Sequence, residues 1–219
     1  MPNATNRSLC RTAHALAALT LVGSMLAGCN LVAGATMLVK GPPTVAAAYR
    51  LPEATTVVFV DDRTNVLPRR VLRETIGRAA EGELLRKTVV PDMVSSRSAD
   101  LAVSQETLDE PLTIAQIGAA VGADQVIYVT IDAFTLSADG ATLLPQAVLR
   151  VKVIDVATSE RIWPDEHRGQ EISPALEFRR GQSPESRTEM LRLQEELAAS
   201  CGVAVAQLFF KHERTQSQL

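Results

Sequence analysis

Ile117-Gly-Ala-Ala-Val-Gly-Ala-Asp-Gln-Val-Ile-Tyr-Val-Thr-Ile131 is the stretch that decides the fold. Thr113 caps a helix over 114–121, and Gly122 stops it. Asp124 to Asp132 then has an apolar core and two-residue alternation, so it reads as a strand. Gly122 supplies the positive φ that ends the helix. Asp124 is placed to bond nearby backbone amides as the chain enters the strand. These are fold-specifying residues and carry no chemistry.

On the N-terminal side, Thr55-Thr-Val-Val-Phe-Val-Asp61 is a β-branched run that predicts a first buried strand, closed by Asp61-Asp62-Arg63 as a loop. Leu67, Val71, Leu72, Ile76, Ala80 and Leu84 fit one face of a helix over 67–87. Thr88-Val89-Val90 predicts a short strand before Pro91. Residues 91–111 are polar and lack a period, so they read as loop.

On the C-terminal side, Asp139-Gly140 is a turn signal. Ala147 to Val156 alternates, with Arg150 and Lys152 on one solvated face, because two buried cations would be costly. Ala157 to Glu160 turns the chain into Arg161-Ile-Trp163, and Glu166 to Ile172 continues as an edge strand. Ser183-Pro184-Glu185 starts a helix that runs to about Lys211. Met190, Leu197, Cys201, Val205, Leu208 and Phe209 form its buried stripe, and Gly202 marks a close helix–sheet contact. The order β-α-β-α-β-β-β-α predicts an α/β two-layer sandwich, a mixed sheet with helices packed mainly on one face.

The leader comes next. Arg7 and Arg11 precede an apolar run, Ala15 to Ala27, of 13 residues. That suits a signal peptide and is too short to span a bilayer. The run closes on Leu26-Ala27-Gly28-Cys29, which resembles the lipobox of bacterial lipoproteins. The resemblance implies cleavage between Gly28 and Cys29, lipidation of Cys29 by fatty acyl chains, and anchoring in a bilayer. Asn30, rather than Asp, implies the outer membrane, facing the periplasm. The expected organisation is a signal peptide over 1–28, a lipidated flexible tether over 29–51, one α/β domain over 52–213 and a tail over 214–219.

Removing the leader takes Arg7 and Arg11 from the 22 basic residues and none of the 25 acidic ones, leaving a net charge of −5. That argues against a nucleic-acid partner and against a polybasic membrane patch. Cys10 leaves with the leader and Cys29 is acylated. Only Cys201 remains, so no intramolecular disulfide forms. No CxxC, HExxH, P-loop, nucleophile elbow or dinucleotide fingerprint is present, so no metal, no cofactor and no catalytic residue is assigned.

The Gly-Ala-Asp junction and its flanks resemble a broad envelope group. It includes the curli-secretion lipoproteins, the N-terminal domain of the Tol-system propeller protein and lipoprotein activators of peptidoglycan synthases. Closest in wording is an uncharacterised family of putative lipoproteins. There the Gly-Ala-Asp strand is followed by a strand ending in Asp, a short turn and an aliphatic–Trp pair. Here these are Asp155, Ala157-Thr-Ser-Glu160 and Ile162-Trp163. Ser159 stands where a turn glycine is common in that family.

The remaining polar clusters have bland readings that outweigh sharp ones. Asp61-Asp62 reads as a polar loop with an Asx turn rather than a cation site. Asp165-Glu166-His167 reads as an exposed edge rather than a catalytic or metal cluster. His212 reads as a dipole partner of a helix C-terminus, and Cys201 as a buried thiol. Trp163 is the residue marked for contact with a partner, against the alternative of a core tryptophan capping the sheet. The expected function is a membrane-anchored envelope lipoprotein, not an enzyme, that works by contact with an envelope protein; a homo-oligomer stays open. One alternative is a subunit of an oligomeric secretion pore. That needs two amphipathic strands of about 9–11 residues, and only Phe134–Gln146 is available. The other is an envelope hydrolase built on Asp165-Glu166-His167.

Overall fold

The computed structural model describes residues 43–104, 111–137, 143–177 and 186–213. The chain divides between Thr44 and Val45, and the unit from Val45 onward carries every element below. The leader, Gly28, Cys29, the Asp139-Gly140 turn, the Ser183-Pro184-Glu185 start and the tail lie outside the described residues.

The first strand, β1 (Thr56–Asp61), is buried at every position. This follows from its place in the sheet: it lies parallel between β2 (Met93–Val94) and β3 (Gln125–Ser137). A strand covered on both faces reads as a continuous apolar run. β3 pairs antiparallel with β4 (Leu143–Asp155), and the outer side of β4 carries β5 (Arg161–Trp163) and β6 (Gln170–Ile172). The sheet is mixed, as expected.

Two long helices, α1 (Val71–Arg86) and α4 (Arg187–Gln207), cover one face. Leu72, Ile76, Ala80 and Leu84 of α1 meet Val58, Val60, Ile127, Val129, Leu149 and Val151 of the sheet and Leu197, Cys201 and Val205 of α4. This is the expected two-layer sandwich. Two short helices, α2 (Ser96–Val103) and α3 (Ile114–Ala120), add a smaller cluster on the opposite face, with Ala99 and Ile117 against Val57, Phe59 and Val126.

Several expectations are corrected. Thr88-Val89-Val90 is not a strand. Thr88 has φ +51°, its N–H donates to the Leu85 carbonyl, and the Val89 N–H donates to the Leu84 carbonyl. That paired capping spends these residues on ending α1, and the strand falls later, at Met93–Val94. Residues 91–111 are not all loop, because α2 lies within them. Val71 is exposed rather than on the core stripe, and α1 begins there, after Pro68, instead of at residue 67. α4 ends at Gln207, four residues short of Lys211; its first described turn is capped by Ser186, whose Oγ accepts the Glu189 N–H at 3.2 Å. Gly202 marks a helix–helix contact, not a helix–sheet one: a Cβ there would lie 2.3 Å from the Ile76 carbonyl oxygen of α1.

The expected tether is shortened at its end. Residues 45–51 belong to the folded unit: Leu51 is buried, and the Ala48 and Tyr49 N–H groups donate to the Leu208 carbonyl at 2.7 and 3.1 Å. The Phe134–Gln146 stretch is not a separate hairpin either. Its described residues extend β3 and β4, and a bulge between Ile131 and Ala133 shifts the inward set to Phe134 and Leu136.

Candidate functional site

The outer edge of β4 is where the described residues gather chemistry that the core does not use. β5 and β6 both run antiparallel to β4 in one continuous direction, separated by residues 164–169. Arg161 holds that loop. Its guanidinium donates to the His167 carbonyl at 3.0 Å and the Asp165 carbonyl at 3.2 Å. Gly169, at φ +94°, then returns the chain to the edge; a side chain there would press on Lys152 and the Val151 carbonyl. So Glu166–Gly169 is loop, and the expected edge strand is limited to Gln170–Ile172, with a further bridge from Ala175 to Gln146.

Trp163, at the end of β5, is half-buried. Tyr49 stacks on it at 5.5 Å between ring centroids, and Phe209 meets it edge-on at 5.7 Å. The ring therefore joins three segments: the strap over 45–51, the sheet edge and the end of α4. Beside this junction lies an open cleft of about 440 Å³. Val45, Ala46 and Ala48 of the strap form one wall, Ile172 to Pro174 the second, and Ala204, Gln207 and Leu208 of α4 the third. Among the described residues, no Asp, Glu, Lys or Arg lines it. His212 closes it from a two-residue strand, His212–Glu213. Its ring meets the Phe210 carbonyl at 3.1 Å, outside α4, so the expected role as a helix-dipole partner is not the one it has.

The other candidate residues serve the fold. Asp61 is buried, accepts the Tyr128 hydroxyl at 2.7 Å and pairs with Arg63 at 3.4 Å. Burial, and then the bond to Asp61, push the Tyr128 hydroxyl far above its ordinary range. Asp62 accepts the Val66 and Leu67 N–H groups, closing the loop before α1. Asp124 does bond a backbone amide, but across the sheet: it accepts the Thr55 N–H at 3.0 Å. Burial raises the Cys201 thiol to about 12, which leaves it protonated and unreactive. Arg150 bridges Asp132 at 2.5 Å and Glu171 at 2.8 Å on the open sheet face. Asp165, Glu166 and His167 stand on the exposed loop, with no grouping of three metal-ligating side chains among the described residues.

Sequence reasoning missed the cleft. Its walls come from positions near 45, 173 and 207, and no local pattern links them. The one available signal was Trp163 beside an edge strand.

No protein-family model and no curated protein sequence matches the chain. Among solved structures, it is similar to the lipoprotein GNA1162 from Neisseria meningitidis, at 12% identity and a TM-score of 0.41, covering 64% of this chain and 92% of that one. It is similar to the PelC dodecamer from Paraburkholderia phytofirmans, at 12% identity and a TM-score of 0.41, covering 77% and 97%. It is also similar to the LpoB C-terminal domain from Escherichia coli, at 19% identity and a TM-score of 0.34, covering 58% and 86%. Likenesses at this level assign neither a partner nor an activity to this chain.

Proposed function

We propose that this chain is a lipid-anchored lipoprotein of the bacterial envelope that acts through contact with another protein rather than by catalysis. The observation that carries this reading is Leu26-Ala27-Gly28-Cys29 at the end of a 13-residue apolar run behind Arg7 and Arg11. Acylation of Cys29 would fix one end of the chain in a bilayer. The folded unit starts at Val45, 16 residues on. The paired polar groups are taken up by the fold: Asp61, Asp62, Asp124 and Arg161 all hold backbone or neighbouring side chains in place. The outer membrane is the favoured location, on Asn30 alone.

The test is metabolic labelling of producing cells with a clickable fatty acid. The wild-type chain carries the label and partitions with membranes, and Cys29→Ser loses both. Label retained in Cys29→Ser overturns the anchor. Hydrolysis of a cell-wall or lipid substrate by the pure protein, lost in His167→Ala, overturns the non-enzymatic reading.

A further inference from the structure

The prolines on the outer edge of the sheet leave its outward hydrogen-bonding groups intact. The Ala147 N–H donates to the Pro174 carbonyl at 3.0 Å, and the Leu176 N–H donates to the Pro145 carbonyl at 3.0 Å. These bonds make 147/174 and 145/176 the hydrogen-bonded pairs of the ladder. The register Leu149↔Ile172 and Val151↔Gln170 continues the same phase. In an antiparallel ladder the residues between such pairs point their N–H and C=O away from the partner strand. Glu171, Ser173 and Ala175 therefore face outward.

A proline guards an edge when it removes a donor that would face solvent. Pro174 removes one that would face β4. The outward donors at 171, 173 and 175 remain. Glu171's carbonyl is covered by its neighbour, since the Gln170 side-chain amide donates to it at 3.0 Å. The Ser173 N–H and C=O have no partner among the described residues, and Ser173 is exposed.

The uncharged cleft lies on the α4 side of this edge, where Ile172 and Pro174 point. A strand laid against 171–175 would turn every second side chain towards Ala204, Gln207 and Leu208. The others would lie on the face of Arg150 and Glu171. We infer that this edge docks an extended segment of a partner protein, about five residues long, with uncharged apolar side chains at alternate positions entering the cleft. The backbone supplies affinity and the cleft supplies selectivity, as in strand addition generally. This rests on the reading that the chain works by protein contact.

The experiment places a photocrosslinking amino acid at Gln207, on the cleft wall, in the full lipidated chain in native cells. A second site at Val71, exposed on α1, is the control. The expected result is an adduct at 207 that survives Ser173→Ala and falls at least tenfold with Ser173→Pro, because only proline removes the outward N–H. The crosslinked peptide of the partner should alternate apolar residues and carry no charge on the inserted side. Ala204→Glu, which puts a charge on the α4 wall of the cleft, should abolish the adduct even if Ser173→Pro fails to fold. An adduct with a second copy of this chain overturns the partner proposal and makes the edge a self-contact. Adducts at 71 but not at 207 overturn the edge and leave the protein-contact reading standing. No adduct at either site overturns both.

Discussion

At Gly202, in the last third of α4, a Cβ would lie 2.3 Å from the Ile76 carbonyl oxygen, 2.7 Å from the Ala79 Cβ and 2.9 Å from the Ala80 nitrogen. At Gly122, behind α3, nothing lies within 4 Å, and the backbone has φ +74°. One glycine is required by its neighbours, the other by its own dihedral. The sequence signals were correspondingly unequal. Gly122 follows a helical stretch and precedes a strand, so its role was readable from position alone. Gly202 interrupts a helical stripe, and what it touches depends on how α1 and α4 cross.

The two glycines separate in the laboratory. Gly202→Ala has the larger effect. Helix propensity favours alanine by about 1 kcal/mol, but the added methyl meets backbone atoms that cannot step aside. A net loss of about 2–3 kcal/mol is expected, a fall of roughly 4–12 °C in Tm for a domain of this size. Urea denaturation monitored by circular dichroism measures it, and an unchanged midpoint would show that the α1–α4 contact is looser than described. Gly122→Ala is expected to lose less, about 1 kcal/mol, from the left-handed backbone alone. A loss there equal to that at Gly202 would erase the distinction.

Two non-glycine residues sharpen the same contrast. The end of α1 repeats the hydrogen-bonding pattern of the end of α3, but Thr88 occupies the left-handed position at φ +51°. A β-branched residue is a rare occupant of that region. Thr88→Gly should stabilise the protein by about 0.5–1 kcal/mol, relief of backbone strain being partly offset by the freer unfolded chain. Thermal unfolding gives the sign, and a lower Tm would mean that Thr88 makes contacts worth more than its strain.

These comparisons bound what the sequence could reveal. The buried β1 run, the α1 stripe, the Gly122 corner and the alternating β4 were legible, because each is a local period or a local dihedral requirement. α2 was not. Its eight residues make about two turns, bury only Ser96 and Ala99 and leave Leu101 exposed, so the run is too short and its buried face too small for a period to stand out. The bulge at Asp132 hid the far half of β3 by reversing the phase of the alternation. At the candidate site, Trp163 was visible as a residue of interest. Its contacts with Tyr49 and Phe209 were not, since they join segments more than 40 positions away on either side. The free donor at Ser173 was hidden for another reason. A proline beside it suggests a guarded edge, and only the pairing register shows which way the missing N–H points.

Ser159 gives the smallest effect and the finest test. It has φ +61° in the turn between β4 and β5. Ser159→Gly should gain about 0.5 kcal/mol. The same turn is held by Asp155, whose carboxylate accepts the Thr158 N–H at 2.7 Å and its hydroxyl at 2.9 Å. The backbone bond first, and then the hydroxyl, hold the Asp155 carboxyl below its ordinary value of 3.8. A carboxyl lowered in the folded state adds stability that is present above the unfolded value. That stability is lost as pH falls through the folded value. Asp155→Ala should therefore be less stable than wild type by a constant margin between about pH 5 and 7, and the charged part of that margin should shrink below 3.8 and vanish once the pH has fallen through the lower folded value. The gain from Ser159→Gly has no titrating group behind it and should not change with pH. Midpoints of urea unfolding across that range separate the two: a pH-dependent gain at Ser159 would mean that its backbone strain and the Asp155 cap are one coupled interaction.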